Sequence, residues 1–198
     1  MLTREEQAEL FEFIQQNDKT PSGQPRAMVP TPKTLQLGED GPTLEFARGD
    51  SSIVSRMVEK GGEVLKAQRL NTTGCFDVCQ FKSLSVATIR YEAPGGHFPM
   101  HVDHCNDSFV FLASLGCTAN FAVQTPAMAL RMNFKLCCGD VLVFDASTKA
   151  AILHSVVSID EASPGDATTG AGDTHQWLGR QFPTLRKHRF GVQCRMYF

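Results

Sequence analysis

Long apolar runs are absent from this sequence. Its first residues read MLTREEQAELFEFIQQ, a pattern in which charged and polar residues interrupt every apolar stretch. A secretory leader needs an apolar stretch behind a basic cap, and a membrane-spanning helix needs about 20 apolar residues. We therefore predict no signal peptide, no membrane partner, and a location in the cytoplasm or the nucleus.

An excess of charge of either sign is also missing. Lysine and arginine number 19 and the acidic residues 21, so the formal net charge is -2. Proteins that hold nucleic acid by charge alone have a strongly basic surface. The composition excludes a uniformly basic surface, and its 42% of hydrophobic residues is ordinary for a soluble globular chain.

The cysteines show no pattern typical of a zinc site. The chain has seven of them, and Cys75 and Cys79 are spaced C-x-x-x-C, but no second Cys or His pair follows at zinc-site spacing. An odd number of thiols without an export signal is typical of a reducing compartment. We interpret the cysteines as free or buried thiols.

An amphipathic helix is predicted near the first residue. Thr3 is the expected N-cap, and Glu6 three residues later completes a capping box. Apolar residues then recur at helical spacing, namely Leu10, Phe11, Phe13 and Ile14. The segment 19–41 should be extended or looping, because it carries Pro21, Pro25, Pro30 and Pro32.

A second helix is predicted over residues 51–69. Its apolar face would consist of Ile53, Val54, Met57, Val58, Val64 and Leu65. Gly61 and Gly62 lie together in its middle, and a helix-interior glycine costs about 1 kcal/mol relative to alanine. We therefore expect this pair to break or kink the helix.

From residue 83 onward the pattern becomes that of β-strands. Seven short runs rich in branched and aromatic residues predict strands at 83–91, 108–115, 119–124, 130–136, 140–146, 151–159 and 189–198. With no helix between them, they favour an antiparallel sandwich or barrel. The polar, glycine-rich gap at 160–185 predicts a mobile surface loop. We predict one domain over 1–198, with a helical and looping N-terminal part at 1–82 and a double-sheet core at 83–198.

Three residues are candidate metal ligands. Asp103 follows His101 by two positions, so on an extended segment both side chains point to one face, about 6.6 Å apart along the strand. His154 lies in an apolar predicted strand and offers a third ligand. Two imidazoles and one carboxylate on one side of a metal form the facial triad of non-haem Fe(II) oxygenases. A chance H-x-D pair and a hydrogen-bonded core histidine remain the alternatives.

Two arginines occupy the last predicted strand. Arg189 and Arg195 are six residues apart, and an even offset keeps their side chains on one face, together with Gly191 and Gln193. An arginine that points into a barrel needs an anion there, because an unpaired buried charge is costly. A dicarboxylate co-substrate would supply that anion through a bidentate pair. The alternative is two surface arginines on an edge strand.

Taken in order, these elements resemble the AlkB-type 2-oxoglutarate- and Fe(II)-dependent dioxygenases. The matching pattern is R-Y-x(5)-H-x-x-x-H-x-D, then GDVLVFD with Gly139 and Asp140, then a histidine in an apolar strand, then R-x(5)-R. It covers about residues 84–198, and the run HVDHCNDSFVFLASLGCTANF also resembles a poorly characterised plant and algal AlkB-like group. The resemblance implies a mainly β fold with N-terminal helices, a double-stranded β-helix of the jelly-roll or cupin-like kind.

The resemblance also implies roles for individual residues. The implied Fe(II) ligands are His101, Asp103 and His154. Arg189 would pair with the distal carboxylate of 2-oxoglutarate, and Tyr91 would donate a hydrogen bond to the same co-substrate. Arg195 would steady either the co-substrate or the Asp103 carboxylate. O2 and 2-oxoglutarate would be consumed together. The remaining histidines include His104, whose side chain should face away from that of Asp103, as a structural or surface residue.

The implied reaction is oxidative demethylation or hydroxylation of a nucleic-acid substrate, such as a single strand. The basic residues of the run RKHR at 186–189, together with Lys33 or Arg26, could contact phosphate, although so short a run is more often a solvated turn. No aromatic nucleotide-binding lid is recognisable over 1–83, and Ile89 stands where bacterial members have asparagine. Hydroxylation of a protein side chain or a small metabolite is therefore an alternative, and a catalytically silent binding barrel is another.

Overall fold

The described residues form two long helices, two antiparallel sheets and short helical turns. The computed structural model describes residues 1–17, 28–36, 52–67, 83–103, 108–161 and 177–197. The elements in chain order are α1 (Arg4–Asn17), β1 (Met28–Gln36), α2 (Ile53–Ala67), β2 (Ser83–Glu92), β3 (Phe98–His101), β4 (Ser108–Gly116), β5 (Ala119–Gln124), β6 (Met132–Leu136), β7 (Val141–Asp145), β8 (Leu153–Ile159) and β9 (His188–Tyr197). A short 3-10 helix, Pro183–Arg186, leads into β9.

The sheets have five and four strands. The larger has the order β1-β2-β9-β4-β7 and the smaller β3-β8-β5-β6. All pairs of neighbours are antiparallel. Strands adjacent in the sheets are mostly not adjacent in sequence, as in a jelly roll. The predicted fold class, a mainly β double-stranded β-helix with N-terminal helices, is confirmed.

Two apolar cores lie on the two faces of the larger sheet. One core joins α1 and α2 to the outer face, where Phe190, Val192, Cys194 and Met196 of β9 are buried. The other lies between the sheets and includes Tyr91, Leu112 and Phe121. Because side chains alternate along a strand, the residues between the outward ones on β9 point into the space between the sheets. This alternation decides which residues reach the candidate site.

The capping box of α1 is confirmed. The Glu6 backbone N–H donates to Thr3 Oγ1 at 3.2 Å, and the Thr3 N–H donates to Glu6 Oε2 at 2.8 Å. The predicted apolar stripe faces the larger sheet, where Leu10, Phe11 and Ile14 are buried and Phe13 is partly buried. Burial of this stripe holds the helix on the sheet.

The expected break at Gly61 and Gly62 is wrong, because α2 continues to Ala67. A Cβ at Gly61 would lie 1.8 Å from Phe111 Cε1 of β4. The glycine therefore lets the helix approach the sheet closely, and the packing gained there offsets its poor helix propensity. Most of the predicted apolar face is buried, but Val64 is 52% exposed, so its assignment to that face is wrong. Ser51 and residues 68–69 lie outside the described residues.

The predicted strands are present with small shifts at their ends, and two strands were missed. β1 lies inside the proline-containing segment that was expected to be extended or looping. β3, with the sequence FPMH, contains a proline and has only four residues, so it shows no alternating pattern. A four-residue strand is too short to be recognised by periodicity.

The predicted loop at 160–185 is wrong for its last part. Residues 177–181 form a helical turn, and Leu178 and Leu185 are fully buried in the core beneath the helices. Two aromatic residues and two leucines among polar neighbours did not indicate this packing in the sequence. Residues 162–176 lie outside the described part of the chain.

Candidate functional site

A cavity of about 260 Å³ opens between the two sheets. Its walls include all the residues that the sequence analysis selected for metal and co-substrate. These are Tyr91, His101, Asp103, His154, Arg189 and Arg195. Gly191 and Gln193 also line it, as expected from their even offset from the two arginines. The cavity therefore brings together residues that are up to about a hundred positions apart in the sequence.

The metal-capable group lies at one end of this cavity. His101 on β3 and His154 on β8 are cross-strand partners, and their rings are 4.2 Å apart between centroids. Asp103 follows two residues after His101, and one ligand atom from each of the three lies within 4.8 Å of the other two. Asp103 Oδ1 is 3.4 Å from His101 Nε2 and 3.8 Å from His154 Nε2. Three ligand atoms therefore converge on one point.

Both imidazoles are oriented with their Nε2 atoms toward that point. His101 Nδ1 lies 2.9 Å from the carbonyl oxygen of Pro99, and His154 Nδ1 lies 3.2 Å from that of Ile152. A carbonyl oxygen only accepts, so Nδ1 carries the proton and Nε2 presents a lone pair. A backbone partner on the second ring nitrogen is the usual support of a metal-binding histidine.

The electrostatics of His154 suit the same role. It is 5% exposed, and its Nε2 is buried with no hydrogen-bond partner among the described residues. Burial lowers the pKa of His154, because the protein interior disfavours the imidazolium form. An unpartnered buried lone pair is costly unless something coordinates it. Two imidazole nitrogens and a carboxylate are the donor set that non-haem Fe(II) accepts, so the residues fit that metal.

Arg195 holds the carboxylate in this arrangement. Its Nη2 donates to Asp103 Oδ2 at 2.8 Å, while Oδ1 faces the two histidines. Both side chains are mostly buried. One oxygen of Asp103 is therefore directed at the metal position and the other is held by a cation. Of the two roles that the sequence analysis left open for Arg195, the observed contact is the one with Asp103.

Arg189 lies toward the opposite end of the cavity and has no such partner. It is 0% exposed, and its Nε and Nη2 have no acceptor among the described residues. Its Cζ lies 5.4 Å from the centroid of the Tyr91 ring, a cation–π distance. Burial lowers the pKa of Arg189 to about 10, so the side chain keeps its charge at neutral pH. Arg189 is therefore a buried cation at a cavity in which no described residue supplies its counter-ion.

Tyr91 is the register partner of Arg189 on the neighbouring strand, so the two side chains share the inner face. Burial raises the pKa of Tyr91 to about 12. The phenol therefore stays protonated and remains a hydrogen-bond donor. A buried cation beside a neutral donor forms an anion-binding arrangement.

Aromatic walls around the metal-capable group were not predicted from the sequence. The ring of Phe144 is 4.9 Å from that of His154, and the ring of Phe98 is 4.8 Å from that of His101. Phe121 also lines the cavity. These rings limit the access of water to the histidines. Each ring lies on a different strand, β3, β5 or β7. The sequence shows that these strands carry aromatic residues, but only the pairing of the strands shows that the three rings line one cavity.

The basic run at 186–189 does not act as one cluster. Arg189 points inward, and His188 Nε2 lies 3.0 Å from Glu92 Oε2. Of the four residues, only Arg186 and Lys187 are exposed. These two precede β9, while Asp103 contacts Arg195 near its other end. Eight residues of extended chain span roughly 26 Å. The exposed basic pair is therefore remote from the metal-capable group. His104 lies outside the described residues.

The Gly139 and Asp140 of the matched motif form the turn between β6 and β7. Gly139 has φ +87, and a Cβ there would lie 2.3 Å from Gln7 Nε2 of α1. Asp140 Oδ2 accepts from the Cys137 N–H at 2.8 Å. This motif therefore shapes a turn against α1 and contributes no group to the cavity. The described cysteines, at 117, 137, 138 and 194, are free thiols.

Fold and site together define a double-stranded β-helix with a His-Asp-His group able to hold a metal. The solved structure of OsALKBH1, an AlkB homologue, is similar at a TM-score of 0.53 and 18% identity, over 98% of this chain and 94% of that chain. This likeness shows the fold.

Two further structures are similar over part of the chain. The cupin domain of Drosophila melanogaster CENP-C matches at a TM-score of 0.35 and 10% identity, over 57% of this chain and 63% of that chain. A double-stranded β-helix protein of Klebsiella pneumoniae matches at a TM-score of 0.34 and 11% identity, over 57% of this chain and 62% of that chain. No family model and no curated protein match the sequence. No helix in the described part of the chain is long and apolar enough to cross a bilayer.

Proposed function

We propose that the chain is an Fe(II)- and 2-oxoglutarate-dependent dioxygenase of the AlkB kind. One observation carries this proposal: a His-Asp-His group and a fully buried arginine without an acceptor line the same cavity. A metal site alone would suit many reactions of cupin-like folds. The unpaired Arg189 calls for an anionic second ligand beside the metal, because a buried charge without a partner is costly.

Each residue has a defined part in the proposed site. Fe(II) would be held by the Nε2 atoms of His101 and His154 and by Asp103 Oδ1. Arg195 keeps that carboxylate in place through Oδ2. Arg189 would form a bidentate pair with the distal carboxylate of 2-oxoglutarate, and the Tyr91 phenol would donate to it.

The bound iron and 2-oxoglutarate would supply the oxidation itself, in which O2 places one oxygen atom in succinate, with loss of CO2, and the other in a substrate C–H bond. The protein would contribute geometry and exclusion of water. Phe98, Phe121 and Phe144 form an apolar lining, which protects an oxidising centre from side reactions. His101 is the most exposed of the three ligands, with 32% of its side chain accessible, and so marks the side from which a substrate approaches.

The proposed substrate class is nucleic acid, oxidised by demethylation or hydroxylation. Its support is the AlkB homologue among the similar structures. The second candidate is a protein side chain or a small metabolite. It is favoured by the position of Arg186 and Lys187, since they lie too far from Asp103 to hold a phosphate backbone near the metal.

The decisive test is 2-oxoglutarate turnover by the full chain with Fe(II) and ascorbate in air. Succinate should form, and formation should be stimulated by the true substrate. Methylated single-stranded oligonucleotides and nuclease-treated lysate are compared, with the His154→Ala variant as control. Stimulation by oligonucleotides supports the nucleic-acid assignment, and stimulation by the treated lysate alone supports the alternative. Equal turnover by the wild type and His154→Ala would refute the proposed site.

A further inference from the structure

The Ser114 hydroxyl is, like those of Thr88 and Ser108, a buried donor without a partner among the described residues. Ser114 is 0% exposed on β4, and its Oγ has no hydrogen-bond partner among the described residues. Its backbone groups are used elsewhere: the N–H donates to the Asp140 carbonyl, and the carbonyl accepts from the Gly139 N–H. Native proteins rarely leave a buried hydroxyl unpaired, so this one calls for an explanation.

Strand register places this hydroxyl beside Arg189. Ser114 pairs with Gly191 of β9, and it lies on the inner face, since Val110 and Leu112 are in the core between the sheets. A Cβ at Gly191 would lie 3.0 Å from Arg189 Nη1, so the guanidinium lies over this glycine. Register partners have Cβ positions about 4.5–5.5 Å apart. The Ser114 side chain and the guanidinium therefore occupy adjacent positions on one face.

The two unpaired groups need the same kind of ligand. The guanidinium has donors only, and the hydroxyl has one donor to offer, so a single acceptor group between them satisfies both. Of the two arginines that line the cavity, Arg195 already pairs with Asp103. Near Ser114, Arg189 therefore offers a ligand one positive charge, which one negative charge neutralises. A carboxylate carries one charge, whereas a phosphate carries more near neutral pH.

We propose that Ser114 is a further binding residue for the carboxylate that Arg189 holds. Gly191 contributes by leaving the space that the guanidinium fills. The inference rests on the proposed function, since the carboxylate is then the distal one of 2-oxoglutarate. Ser114, Arg189 and Tyr91 together surround it with donors from three neighbouring strands, β4, β9 and β2.

Calorimetric binding on the Fe(II)-loaded full chain under argon tests this assignment. The two ligands are 2-oxoglutarate and 2-oxopentanoate, which has the same chain but a methyl group in place of the distal carboxylate. Ser114→Ala should weaken 2-oxoglutarate about tenfold, the loss expected for one hydrogen bond to a charged acceptor. Its affinity for 2-oxopentanoate should stay within about twofold of the wild type.

Thr88→Val is the matched control. Thr88 also has a buried hydroxyl without a partner among the described residues, but it shares the helix-facing side of β2 with Val86. This variant should bind both ligands as the wild type does. Unliganded Ser114→Ala should melt at or above the wild-type temperature, because it loses an unsatisfied group. If it does not fold, Ser114→Cys keeps the volume with a weaker donor.

The outcomes separate the two proposals. If Ser114→Ala and Ser114→Cys bind 2-oxoglutarate like the wild type while Arg189→Met weakens it, the role of Ser114 is refuted and the proposed function stands. If the wild type binds neither ligand, or binds both equally, the proposed function fails and the role of Ser114 fails with it. An equal loss of both ligands in Ser114→Ala would show a general distortion and would also refute the assignment.

Discussion

Replacing Arg189 by methionine should make the unliganded protein more stable and remove its co-substrate binding. The side chain is fully buried, and its Nε and Nη2 have no acceptor among the described residues. Methionine has a similar length and no group to satisfy. If the arginine is retained for an anion, its removal benefits the unliganded fold and harms the complex. A merely structural arginine would behave in the opposite way.

The expected magnitude follows from two opposing terms. An unsatisfied buried polar group costs about 1–3 kcal/mol, and more when charged. The cation–π contact with Tyr91 returns up to about 2 kcal/mol. Nε and Nη2 are two such groups and together cost about 2–6 kcal/mol, so after this offset Arg189→Met should raise the free energy of unfolding by roughly 1–3 kcal/mol. For a chain of this length, each kcal/mol moves the melting temperature by about 2–4 °C, so we expect a rise of roughly 2–12 °C.

The difference in the free energy of unfolding between Arg189→Met and the wild type should shrink above pH 10. The pKa of Arg189 in the folded protein is about 10, below its ordinary value of 12.5. Between these values the unfolded chain binds more protons than the folded one, so the stability of the wild type rises with pH there. The methionine variant lacks this titration, and the two unfolding energies should converge.

Thermal unfolding with and without 2-oxoglutarate measures both effects. At a hundred times its Kd, a ligand adds about 2.7 kcal/mol of stability. The wild type should show this gain and Arg189→Met should not. Arg195→Met is the control, and it should lower stability, because it leaves the Asp103 carboxylate without its cation. A lower melting temperature for unliganded Arg189→Met, or an undiminished gain with 2-oxoglutarate, would refute the reasoning.

Three further predictions concern the ligands, the helix packing and the thiols. His101→Ala and His154→Ala should each lose at least about tenfold in Fe(II) affinity by anaerobic titration, whereas His97→Ala, outside the ligand group, should bind as the wild type does. Gly61→Ala should lower the free energy of unfolding by about 1–3 kcal/mol, measured in urea, because its Cβ meets the Phe111 ring. An increase in that free energy, as helix propensity alone predicts, would contradict this packing. The exposed control Glu59→Ala should change the free energy of unfolding little. Burial raises the pKa of Cys138 to about 12 and raises that of Cys194 as well, so iodoacetamide at pH 8 should label both only after denaturation, as read by mass spectrometry; labelling in the native state would count against their burial.

Local periodicity determined much of this protein. Alternation along a strand is a property of the backbone, so the common face of Arg189 and Arg195 followed from their even offset alone. That this face lines a cavity was decided by the pairing of the two sheets around it. The capping box of α1 follows from a three-residue spacing in the same way. The strand-rich second half predicted the fold class because no helical pattern interrupts it.

Only the tertiary structure decided which distant residues meet. His154 faces His101 because β8 pairs with β3 in that register, and no spacing within either strand specifies the pairing of two segments so far apart. The same holds for Gly61, whose lack of a side chain is explained by Phe111 on another element. Ser114 and Arg189 are neighbours only through the β4–β9 register. Sequence periodicity determines the direction of a side chain, while strand pairing and close packing determine what lies opposite it.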